Sequence, residues 1–167
     1  MPRRSLRFQD YEQVLVEAER LQELGYERTG NWSLAQICHH LAMVMEHSLD
    51  GFPTQQPWPV RWIARQFFLP RVLRHQVIRG RAPAGKALQP PDSADAPAAL
   101  ARLHKAIDRL QTHQGSLAPS PAFGPLSPDD WREVHLWHCE HHLGFLLPKS
   151  ACVAPLGAEF PRRARPY

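Results

Sequence analysis

At 167 residues the chain has the length of one domain that can bury a real core without disulfides or repeats. Hydrophobic residues make up 43% and charged residues 22%, with a formal net charge of +4, which suits a globular protein and falls far short of a nucleic-acid-binding composition. No apolar run reaches the roughly 18 residues that a spanning helix needs, so no membrane span is expected.

The start, MPRRSLRFQDYEQ, carries positive charge but no apolar stretch of the kind a signal peptide requires. Cys38, Cys139 and Cys152 are odd in number and form no CxxC pair, which argues against a disulfide framework and a thiolate zinc knuckle. A reducing, cytoplasmic setting is the expectation.

Asp10 with Gln13 reads as a capping box, and Tyr11, Val14, Leu15, Ala18, Leu21 and Leu24 then repeat at helical spacing up to Gly25. Ser33 and Gln36 form a second box ahead of an apolar stripe that runs to about Leu49. From Gly51 to Pro91 there is no acidic residue, while six arginines and Lys86 are interspersed with Trp58, Trp62, Phe67 and Phe68. Val60 to Leu69 reads as helical within this long connection, and Gly80 to Pro97 as loop. The segment is either an anion-binding or membrane-surface element or a crossover whose apolar side packs on the protein while its arginines face water; the mixed pattern favours the crossover.

Leu100, Leu103, Ala106, Ile107 and Leu110 predict a third long helix from Ala98 to His113. Ser127, Pro128 and Asp130 then supply an N-cap, a first-turn proline and an early acid for a last helix, Trp131 to Leu147, ended by Pro148. No stretch reads convincingly as a strand. The expectation is an all-α four-helix bundle with long crossover connections, occupying residues 1–150, and a poorly ordered tail at 151–167.

The last helix carries four histidines within eight residues. His138 and His142 stand i, i+4, one turn apart on one face, so both imidazoles can point at one ion. At about 100° per residue, Trp131, Val134, His135, His138 and His142 share a side, and Glu133 and Glu140 fall opposite. On the second helix His39 points away from the apolar face with Glu46, whereas His40 lies at its flank, which makes His40 the better third donor. Three neutral imidazoles with an open position fit zinc, nickel or iron(II). HCEHH is not HExxH, because its glutamate lies on the polar side, and Cys139 reads as a packed thiol rather than a nucleophile. His135 and His141 are left as supporting or fallback ligands.

With NWSLAQICHHLA and FGPLSPDDWREVHLWHCEHHLGFL placed, the chain resembles the DinB/YfiT-like superfamily over about Leu6 to Pro148, in particular a domain-of-unknown-function branch. That resemblance implies a four-helix bundle with a three-histidine metal site, falling here on His40, His138 and His142. It further implies a metal-dependent enzyme, foremost a thiol S-transferase that joins a low-molecular-weight thiol to a small electrophile, and a homodimer. Arg61, Arg65 and Arg71 are then candidates to hold the carboxylates of the thiol. A non-catalytic metal-binding or interaction bundle, and a metal-dependent hydrolase, are the alternatives. No catalytic residue beyond the ligands is assigned.

Overall fold

A computed structural model describes residues 3–76, 88–92 and 95–149, and these are mostly helical. The expected tail at 151–167 and most of the expected loop after Gly80 lie outside the described residues.

Helix α1 (Tyr11–Leu24) is capped by the Asp10 carboxylate, which accepts from Gln13 N–H, and it stops at Gly25 with φ 70°. The other half of the expected box is displaced by one residue: the Gln13 side chain accepts from Gln9 N–H. A short strand, β1 (Tyr26–Arg28), follows, and α2 (Leu34–Asp50) then opens on the complete Ser33/Gln36 box. Tyr26 Oη also accepts from Leu34 N–H, so a second side chain satisfies the start of α2.

The basic connection forms two short helices, α3 (Trp58–Phe67) and α4 (Leu69–Leu73). Helix α5 (Ala96–Thr112) starts two residues before the apolar spacing predicts, because Asp95 caps Ala98 N–H and Pro97 falls in the first turn, where its missing N–H costs nothing. Helix α6 (Pro128–Leu143) begins as expected, with Ser127 Oγ accepting from Asp130 N–H.

Two expectations need correction at the end of α6. The helix stops at Gly144 rather than at Leu147, and the next residues form a strand, β2 (Leu146–Pro148), antiparallel to β1 with Arg28 opposite Leu146. Pro148 disfavours a helical conformation at Leu147, and the backbone finds its partners across the pair instead. Thr29 N–H donates to Phe145 O at 2.9 Å and Lys149 N–H to Gly25 O at 3.0 Å. This ladder fastens the α1–α2 connection to the end of α6.

The main core lies among α1, α2, α5 and α6, where Leu21, Leu34, Leu41, Leu103, Ile107 and Leu136 are almost wholly buried. Helix α2 runs along α5 over their most extensive interface, tied at its edge by Arg102, which bonds both Glu46 oxygens and the His39 ring. His39 therefore points away from the apolar face, as its place on the wheel predicts. A smaller cluster joins Leu69 and Val72 of α4 to Trp131 and Val134 of α6. No helix among the described residues is long and apolar enough to cross a membrane.

Residues 3–8 cross the C-terminal half of α6: Arg4 N–H donates to Gly144 O at 2.8 Å, and Phe8 N–H to Glu140 Oε1 at 2.8 Å. A Cβ on Gly144 would stand 2.9 Å from Arg4 O, so the arm can lie this close only over glycine. Gly144→Ala should therefore destabilise the fold by about 1–3 kcal/mol, read from the urea midpoint. The arm should also become open to proteolysis near Arg4; an unchanged midpoint and cleavage pattern would show that it does not bear on α6.

Candidate metal centre

His138 and His142 project from adjacent turns of α6, and His40 faces them from α2. Each of the three offers one ring nitrogen, and these atoms lie within 4.8 Å of one another. His40 Nε2 is 2.9 Å from His138 Nε2, and the His138 and His142 ring centroids are 4.6 Å apart. The structure thus brings together the three residues that helical spacing and the resemblance select.

The outer side of His40 is also held. Its Nδ1–H donates to Leu88 O at 2.7 Å, which leaves Nε2 as the nitrogen whose lone pair faces the other two rings. Trp32 closes one wall, stacked on His142 at 5.3 Å and 16° and tilted against His40 at 4.9 Å. It sits there because the β1–β2 ladder brings the α1–α2 connection over the end of α6, where a Cβ on Gly30 would come within 3.1 Å of Phe145 Cβ. His40 is buried, whereas His138 and His142 are partly exposed.

Burial lowers the pKa of all three rings, well below the ordinary imidazole value for His138 and His142, where the neighbouring imidazoles add to it. They are neutral at pH 7, the protonation state in which imidazole ligates a metal. Three imidazole nitrogens brought close from two helices, one of them with its tautomer fixed from behind, fit a divalent ion of the borderline class.

The remaining histidines take other places. His141 Nδ1 accepts from Arg3 at 2.9 Å, and its ring stacks on Trp137. Burial, with help from Arg3, lowers its pKa to about 4. Arg3 also lies over the Phe145 ring, which puts a guanidinium beside this end of α6. His135 is buried under Trp131 and bonded through Nδ1 to Tyr11 Oη at 3.2 Å; its Nε2 has no protein partner. Neither His135 nor His141 joins the cluster of three.

Glu140 is not on a polar side. It is buried, accepting from Phe8 N–H and facing His75 Nδ1 at 2.9 Å, while His75 Nε2 faces Glu133 at 2.7 Å. Burial pushes the Glu140 carboxyl up to about 7. Nothing in the spacing of α6 signals this, because its partners come from the N-terminal arm and from His75, two residues past the end of α4. His75 holds a positive φ of 51° to reach them. Cys139 is wholly buried with its thiol pKa raised, as a packing residue should be.

Arg61, Arg65 and Arg71 have their hydrogen bonds elsewhere: Arg61 on Gln55, Arg65 on the Phe123 and Pro125 carbonyls, and Arg71 on the Phe67 carbonyl. Among the described residues, a cation placed beside this end of α6 is Arg3, which spacing alone does not mark.

Fold and site together define a mostly helical protein with a candidate three-histidine metal centre. The chain belongs to the family described as Protein of unknown function (DUF1569), whose model matches residues 1–149. No curated protein and no solved structure matches it.

His135 supplies a test of the electrostatics. Burial lowers its pKa from 6.5 to about 3, so the unfolded chain binds a proton that the folded chain refuses. Its contribution is fully present above pH 6.5 and is lost as the pH falls from there toward 3. His135→Gln should flatten the fall of stability over that interval by up to about 1.4 kcal/mol per pH unit. Denaturant midpoints measured from pH 7 to pH 4 decide it; parallel curves for the two proteins would refute a buried neutral His135.

Proposed function

We propose that His40, His138 and His142 bind one divalent metal ion, zinc, nickel or iron(II), and that the protein is a metal-dependent thiol S-transferase of the DinB/YfiT-like kind. On this reading α1, α2, α5 and α6 are the four helices of the bundle, and residues 1–150 are one domain. The observation that carries it is the convergence of three imidazole nitrogens within 4.8 Å, from helices distant in sequence, with the His40 tautomer fixed from behind.

An ion at this point supplies Lewis acidity that lowers the pKa of a thiol and so presents a thiolate. Trp32 offers a co-substrate a flat apolar wall, and Arg3 a guanidinium for a carboxylate. Hydrolysis is the weaker chemistry here, since Glu133 and Glu140 are both engaged with His75 and do not stand among the three histidines. Cys38 and Cys139, both free and buried, suit a reducing, cytoplasmic setting.

Metal analysis of the purified protein should find one ion per chain. His40→Ala, His138→Ala and His142→Ala should each weaken binding by about 100-fold or more, since even outer-sphere losses reach that range. Full retention in all three would refute the site. Wild type should also consume a low-molecular-weight thiol in the presence of an activated aryl halide or epoxide, and His138→Ala should not. A loaded protein that turns over no such pair would be a metal-binding bundle without this activity.

A further inference from the structure

Helix α3 is inverted. It is among the most amphipathic segments of the chain, yet none of its residues is buried, and its apolar side chains face outward. Trp58 is 73% exposed, Trp62 57%, Ile63 48% and Phe67 57%. At about 100° per residue these four, with Val60, sweep one broad arc, and Arg61, Ala64 and Arg65 occupy the remainder. On that remainder Arg65, itself exposed, donates to the carbonyls of Phe123 and Pro125, and Arg61 donates to Gln55. The sequence pattern favoured the opposite arrangement, with apolar side inward and arginines in water. Only α4 follows it, with Leu69 and Val72 buried and Arg71 and Arg74 exposed.

Aromatic side chains and arginines also line a groove of about 340 Å³ between α3 and the Phe123–Pro125 segment. The described residues of this stretch, 51–76, carry Arg61, Arg65, Arg71 and Arg74 and no acid. A second copy of the chain docking face to face would set these arginines against one another with no carboxylate from that stretch to answer them. An anionic bilayer answers both features. Exposed tryptophans and phenylalanine suit the boundary between headgroups and acyl chains, and arginines set back toward the protein sit at the depth of the lipid phosphates.

We infer that α3 is an in-plane membrane-surface anchor, which rests Trp58, Trp62, Ile63 and Phe67 in the interface of an anionic bilayer while Arg61 and Arg65 meet its phosphates. A ten-residue helix is about 15 Å long, too short to span but sufficient to lie flat. The binding is peripheral and salt-sensitive, because its electrostatic part is screened over about 8 Å at physiological ionic strength.

The test is co-sedimentation of the full chain with vesicles of phosphatidylcholine alone and of phosphatidylcholine mixed equally with phosphatidylglycerol. The mixed vesicles should retain the protein at low salt and release it at high salt, and phosphatidylcholine alone should retain little. Replacing Trp62→Ser and Phe67→Ser together should weaken partitioning by about tenfold or more, with unchanged circular dichroism. Lys105→Ala, on the exposed side of α5, should bind like wild type. The inference is overturned if the mixed vesicles do not retain the protein at low salt, or if the double variant partitions like wild type. It is equally overturned if wild type without vesicles is a dimer that the double variant dissolves, which would give the face to a second copy. Duplex DNA that displaces the protein from vesicles, and whose binding the same variant loses, would give it to nucleic acid.

Discussion

Much of this structure follows from one constraint: α6 is a polar sequence enclosed by protein. Four histidines and the buried Glu140 stand among its sixteen residues as groups that the fold has to satisfy largely away from bulk water. A buried polar group without a partner costs several times what an ordinary hydrogen bond contributes, so each neighbouring element is fixed by what it offers α6. Tyr11 at the start of α1 serves His135, Phe8 N–H and His75 serve Glu140, and His40 of α2 faces His138. The elements that enclose α6 are also those that position the candidate ligands.

The same enclosure sets the electrostatic state of the cluster. Three imidazoles held this close, half out of water, cannot all be protonated, since each charge raises the cost of the next. Burial and mutual proximity therefore act together to keep them neutral. The Leu88 carbonyl commits the one proton His40 carries to the outer nitrogen. For His40, preorganisation of this kind removes from an incoming cation the cost of choosing a tautomer. Arg3 opposes a cation at longer range, but its guanidinium is turned to His141 and Phe145, which leaves the inner nitrogens free of its donors.

The parts of this arrangement legible in the residues are those decided locally. Caps at Asp10, Ser33 and Ser127 mark three helix starts because the side chain and the N–H it satisfies are three residues apart. The choice of His40 over His39 is likewise a matter of angle around one helix, and Arg102 holds His39 on the outer side where that angle puts it. What could not be read is decided by distant partners. Glu140 looks solvent-facing until residues 3–8 and His75 cover it. The β1–β2 pair consists of two three-residue segments, too short to show an alternation and separated by most of the chain. Trp32 lies in a quoted motif, but its contact with His142 depends on that pair.

The break between α3 and α4 shows how a single residue can set orientation within one amphipathic stretch. Pro70 lacks the N–H that would bond back toward Gln66, so the chain re-forms its ladder from Phe68, whose carbonyl accepts from both Arg71 and Val72 N–H. The short second helix then turns Leu69 and Val72 onto Trp131 and Val134, where burial of four apolar side chains fixes it. With α4 seated in this way, α3 projects from its N-terminal end along the Phe123–Pro125 segment, and Arg65 finds two of its carbonyls. These contacts of Arg65 are exposed, so they orient α3 along the segment without enclosing it. The exposure of Trp58, Trp62, Ile63 and Phe67 thus accompanies a connection seated by α4 at one end and by Arg65 along the Phe123–Pro125 segment.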